Sequence, residues 1–147
     1  MADNKKDPVR EFLESYWELR RETDRLDRRV YELTVQCENV TAKYTGMPRG
    51  GGGSSTTAWD ALIEAKALAE ARLVESLRRE VEIEDFVDTI PNKVYRQLLR
   101  YRYLEDLTWE TIGNLMHYHP VHVRLRLHGA ALNAAREKWE EREEQNS

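Results

Sequence analysis

Three histidines, His117, His119 and His122, fall within the six residues "HYHPVH". Imidazoles so closely spaced can hold zinc when a further ligand stands nearby. No Cys or acidic residue adjoins them, and the one cysteine of the chain, Cys37, is far upstream. Pro120 supplies a different reading. His119 stands where a helix N-cap belongs, and Pro120 takes the first helical position, where its missing N–H costs nothing. The histidines then become turn and cap, with no metal. No P-loop, Gly-rich dinucleotide turn, or carboxylate or Cys/His constellation is present, so no catalytic set and no cofactor are expected. The chemistry that remains is cationic. Arg124 and Arg126 are the full cations between Pro120 and Ala135, suited to phosphates or to base edges.

Charge is distributed to match. The net charge of −4 over 147 residues argues against a nucleic-acid partner, but segments 1–90, 91–136 and 137–147 carry −5, +4 and −3. The basic part is the part that holds the histidines and Arg124. Charged residues make up 34% and Gly plus Pro only 11 residues, with Ala, Leu, Glu and Arg abundant, which favours long helices over sheet. One cysteine excludes an intrachain disulfide. The start "MADNKKDPVREF" lacks the apolar run of a signal peptide, and no stretch approaches the roughly 20 apolar residues of a membrane span. A soluble, cytoplasmic protein without a membrane partner is expected.

The elements that position the basic segment are helical. Asp7 and Pro8 begin a first helix as N-cap and first-turn proline. Phe12, Tyr16, Leu19, Thr23, Leu26, Val30, Leu33, Cys37 and Val40 then follow spacings of four and three, a heptad seam with Thr23 its polar member. The chain divides as a first helix (1–41), a flexible Gly/Ser-rich connector (42–57) that includes "TGMPRGGGGSSTT", and a second helix (58–90) capped by Thr57. Leu62, Ala65, Ala69, Leu73, Leu77 and Val81 form the stripe of that second helix. The two helices are expected to pair as a long antiparallel hairpin. The seam residues Phe12, Tyr16, Leu19, Leu26, Val30 and Leu33 could also serve a homodimer or a larger partner such as RNA polymerase.

Beyond Pro91, expected to start a third helix, Val94, Leu98, Tyr101 and Leu104 or Leu107 mark a buried side. Thr108 caps a two-turn helix with Ile112, Leu115 and Met116 at core spacing. After the turn, Val123, Leu127, Ala130, Ala131 and Ala134 give a further helix its inner face. Gly113 lets the two cross closely, and Gly129 is expected to pack against the short helix. Segment 91–136 thus reads as a helix-turn-helix, and 137–147 as an acidic tail in which Trp139 lies on an exposed helix extension.

The stretch "LLRYRYLEDLTWETIGNLMHYHPVHVRLRLHGAAL" resembles the carboxy-terminal helix-turn-helix of sigma-factor region 4. The form is that of phage and prophage proteins of Gram-positive bacteria, including late-gene regulators of the RinA and ArpU type. The "YTGMPRGGGGS" connector and the "TWETI" and "LHGAAL" segments carry the likeness, which covers most of the chain. In the family pattern a Ser stands at His119 and a basic residue at Ala130, and the interval from the turn to "LHG" is one residue shorter. The resemblance implies an all-α transcription regulator that binds double-stranded DNA in a sequence-specific way. The candidate contact set is His119, Val121, His122, Arg124, Leu125 and Arg126, with Arg100 and Arg102 clamping the DNA backbone and His128 adding charge if protonated. Two other functions fit the same elements: the small subunit of a phage DNA-packaging terminase, and a polymerase-binding protein that does not touch DNA.

Overall fold

The computed structural model describes residues 7–44 and 53–147, and in it the chain is all-α. Among the described residues there are five helices. Helix α1 covers 8–44 as the segments Pro8–Glu14 and Tyr16–Tyr44, and α2 is Gly53–Asp88. Helix α3 covers 93–104, an α-helix at Lys93–Leu99 continued by a π-helical turn at Arg100–Leu104. Helix α4 is Trp109–Met116. Helix α5 covers 120–145, with a π-helical segment at Val123–Leu127 between Pro120–His122 and His128–Gln145. None of the described helices is long and apolar enough to cross a membrane.

Local signals account for most helix starts. The Asp7 carboxylate accepts from the Val9 N–H at 3.3 Å and also pairs with Arg136 at 2.6 Å, so one side chain caps α1 and ties it to α5. Ser15 donates its hydroxyl to the Phe12 carbonyl at 2.6 Å, which disturbs the helix there. Backbone bonds from the Ser15 N–H to Glu11 and from the Leu19 N–H to Ser15 carry the helix through. Two starts differ from expectation. Helix α2 begins at Gly53 and not at a Thr57 cap, because a long helix held by packing propagates into small hydroxyl residues that are tolerated in a first turn. The centre of the expected connector, 45–52, lies outside the described residues. Pro91 does not start α3. Asn92 does, accepting from the N–H groups of Val94 (3.0 Å) and Tyr95 (3.1 Å), which leaves Pro91 in the preceding bend.

The long helices α1 and α2 form an antiparallel pair, followed by the shorter carboxy-terminal helices. The chain divides into two compact units, one of 20–78 and one that joins the residues up to Leu19 to 79–147. In the unit of 20–78, Leu26 and Leu33 are buried and Val30 half-buried. Thr23 is buried too, its hydroxyl 2.7 Å from that of Ser76. This seam is covered by α2, as the expected hairpin requires. The stripe of α2 is shifted from expectation. Ala69, Ser76, Glu80, Ile83 and Val87 are buried, whereas Leu77 and Val81 are exposed. The Thr23–Ser76 bond explains how polar residues hold seam positions: each hydroxyl satisfies the other, so an apolar residue is not needed there.

In the other unit Val9, Leu13, Tyr16, Ile83, Phe86, Val87 and Ile90 share one core with Leu98, Leu99, Tyr103, Ile112, Val123, Ala131, Leu132 and Ala135, and Phe12 and Leu19 pack against it. Short helices such as α3 and α4 cannot bury enough surface alone, and the ends of the two long helices complete their core. A boundary at residue 90 therefore does not separate compact bodies. The helix extension expected at Trp139 is present, but Trp139 is not exposed on it. Helix α5 runs on to Gln145, and Trp139 packs on Phe12 and Phe86, with ring centroids 4.9 and 5.8 Å apart. Arg142 lies over both Phe12 and Trp139 while it pairs with Glu82.

Gly129 departs from its expected role. A Cβ added there would meet nothing within 4 Å, so no neighbour requires a glycine. Gly129→Ala is expected to raise stability by about 0.5–1 kcal/mol, through lower backbone entropy of the unfolded chain and better helix propensity. An unchanged or lowered midpoint in urea denaturation would contradict this.

Candidate nucleic-acid interface

The segment from Thr108 to Arg126 is organised by caps at both of its helix starts. Thr108 accepts from the Thr111 N–H at 3.2 Å and begins α4 at Trp109. At the other end of α4, His117 adopts the left-handed conformation (φ 62°), and the Tyr118 N–H closes on the Gly113 carbonyl at 2.9 Å. His119 Nδ1 then accepts from the Val121 N–H at 3.2 Å, which requires its ring proton on Nε2. Pro120 opens α5. A short helix, a three-residue turn and a long helix follow one another as the spacing predicts.

Gly113 makes the turn possible. A Cβ there would lie 2.7 Å from the Tyr118 carbonyl oxygen and 3.1 Å from Pro120 Cγ. The glycine's Cα therefore lies directly beneath the backbone that leads into α5.

Two π-helical turns set which side chains face inward. In α3 the Glu105 N–H reaches back to the Arg100 carbonyl at 3.0 Å, and in α5 the His128 N–H reaches back to Val123. Along α3, Leu98, Leu99 and, within the first of these turns, Tyr103 are buried, Tyr101 and Leu104 are half-buried, and Val94 is exposed. The second places buried His128 five residues after buried Val123, with Arg124, Leu125 and Arg126 all exposed between them. The two turns meet in a polar contact: Tyr103 Oη lies 2.7 Å from His128 Nε2, and the rings stack with centroids 5.8 Å apart. Trp109 meets the other edge of His128 at 4.8 Å. Burial, reinforced by the positive charges of Arg10 and Arg102, pulls the His128 pKa down to about 4. His128 is thus a neutral core group at pH 7 and supplies no charge to a ligand. Burial likewise pushes the Tyr103 hydroxyl up. The sequence reading missed this pair, since twenty-five residues separate its members and only the fold joins them.

The candidate set separates into two groups. His119, Val121, His122, Arg124, Leu125 and Arg126 come together at the exposed start of α5, with Val121 46% and Leu125 65% exposed. Tyr118 joins them, its ring 5.8 Å from that of His122. Among the described residues, Arg124 and Arg126 have no acidic partner. Arg100 and Arg102 are differently placed. Arg100 pairs with Asp88. Arg102 donates to the Leu107 carbonyl at 3.0 Å and stacks over Trp109 at 4.2 Å, so it holds the turn before α4. Leu115, expected in the core with Ile112, is exposed, because Ile112 and Gly113 form the buried side of α4. Among the described residues, no three His, Cys, Asp or Glu side chains are grouped to hold a metal ion.

No family model, curated protein or solved structure matches this chain.

Proposed function

We propose that this protein is a sequence-specific DNA-binding transcription regulator of a phage or prophage, with 109–135 acting as a sigma-factor region 4-like helix-turn-helix. One observation carries the reading: Arg124, Leu125 and Arg126 are consecutive, exposed and, among the described residues, free of acidic partners, at the start of a helix that is buttressed from behind by Val123 and His128. Such a helix end offers cations to phosphates and to guanine edges, and offers apolar Val121 and Leu125 to thymine methyl groups. The π-helical segment at Val123–Leu127 takes up the one residue by which this interval exceeds the pattern that the chain resembles. Helix α5 thereby keeps its inner face while the insertion is presented outward. Arg100 and Arg102 act in this reading as supports of the domain, because their guanidinium groups are engaged by Asp88, Leu107 and Trp109.

Among the described residues few cations are exposed without an acidic partner, so binding by one copy is weak and its salt dependence shallow. Paired half-sites or RNA polymerase as a second partner would strengthen it. Genome-wide capture of DNA by the protein in its host supplies the duplex for the test. On that duplex, Arg124→Ala with Arg126→Ala is expected to lower affinity by about 30-fold or more at moderate salt and to flatten the salt dependence by about two counterions. Unchanged affinity in fluorescence anisotropy would overturn the assignment of α5, and capture without any enriched promoter would overturn the regulatory role.

A further inference from the structure

Helix α2 carries a second heptad seam on the side away from its contact with α1. Ile63, Ala67, Glu70, Val74 and Leu77 follow spacings of four, three, four and three, so they lie in one stripe along the helix. All five are exposed, with Ile63 and Leu77 each at 44% and Val74 at 64%. The buried stripe, which includes Ala69 and Ser76, is the one that meets α1. Four apolar residues at coiled-coil spacing, with Glu70 the charged member at the centre of the stripe, are more than scattered surface hydrophobicity requires.

We propose that this face is the homodimer surface, and that its occupant is α2 of a second copy running antiparallel. The charges select that arrangement. A parallel, in-register pair would bring Glu70 against Glu70 inside the seam, and buried like charges are costly. About a two-fold axis near residue 72, an antiparallel pair sets Ala67 opposite Leu77 of the second copy, small against large, and Glu70 opposite Val74. Lys66, 3.5 Å from Glu70 in the same helix, keeps that carboxylate compensated at the rim. The same axis brings Glu64 beside Arg78 of the second copy, twice by symmetry. Arg78 can make this contact beside its existing pair with Glu75 at 2.7 Å, since its side chain is 74% exposed. A contact of about four helical turns falls below the roughly 1,200 Å² of a tight interface, so association is weak, on the order of 100 µM.

Sedimentation equilibrium of the full chain without DNA tests this independently of the regulatory reading. Between about 5 µM and about 500 µM, the mass is expected to rise from 17.4 kDa towards twice that value. Val74→Glu with Leu77→Glu is expected to hold it at 17.4 kDa throughout. Both positions are exposed, so an unchanged circular dichroism melt shows that the variant is folded. Glu64→Arg or Arg78→Glu alone is expected to weaken association about fivefold, and the two together to restore it. A wild-type mass that stays at 17.4 kDa, association unaffected by the Glu substitutions, or no rescue by the double reversal would each overturn the proposal.

Discussion

Gly113→Ala is expected to destabilise the protein by about 2–3 kcal/mol, where the same substitution in an open helix gains up to about 1 kcal/mol. The difference comes from what the new methyl group meets. The Tyr118 carbonyl oxygen would be 2.7 Å away, and the Tyr118 N–H is already bonded to the Gly113 carbonyl. The turn cannot retreat without breaking that bond and moving Pro120, whose ring lies 3.1 Å from the same point. Either response disturbs the start of α5 and with it the exposed Arg124 and Arg126. For a domain of this size the cost corresponds to a melting midpoint lower by about 5–10 °C. Gly129→Ala is the internal control. The same chemical change, made sixteen residues later in open space, is expected to move the midpoint in the opposite direction. Equal shifts at the two glycines would show that helix propensity, and not close approach, governs Gly113.

The second large effect is a loss of stability in mild acid that belongs to one residue. His128 titrates near 6.5 when unfolded and at about 4 when folded, because the core disfavours its charged form. Above pH 6.5 both states hold it neutral, and the stability it contributes is complete. As the pH falls from 6.5 towards 4, the unfolded chain takes up a proton that the folded chain does not, and the balance moves towards unfolding. The shift corresponds to about 2–3 kcal/mol, allowing for partial access of solvent. In urea denaturation, wild type should lose about 2 kcal/mol more than His128→Gln between pH 7.5 and 4.5, the carboxylates being common to both. A proton NMR titration of His128 reads the same quantity directly. Parallel pH profiles for the two proteins would falsify the assignment of His128 as the acid-sensitive group.

Features decided within a few residues were legible before the structure. Asp7 with Pro8, Thr108, and His119 with Pro120 each cap the helix they were expected to cap, since an N-cap bond spans only two or three residues. The Phe12-to-Leu33 seam was legible for a related reason: a period repeated over several turns can be recognised without knowing the partner. Its partner was expected too, since two helices of similar length joined by a connector return on each other, and α1 and α2 do pair antiparallel. The stripe of α2 was misplaced by one position beyond Leu73. Counting apolar residues favoured Leu77 and Val81, while the fold buries Ser76, whose hydroxyl is satisfied by Thr23.

The sequence by itself determined that the chain is helical, where most helices begin, and that an excess of positive charge lies in segment 91–136. All of these follow from propensity, capping and charge, which act locally. Tertiary structure alone decided which cations remain free. Arg102 is taken by Trp109 and Leu107, His128 is withdrawn into the core by Tyr103, and Arg124 and Arg126 are left outside. Arg102 lies in the first π-helical turn and Arg124 and Arg126 in the second, and a single extra residue per turn leaves no periodic signature to read. Packing of Trp139 on Phe12 and Phe86 was likewise settled only when distant segments met, since it depends on where three helices end in space.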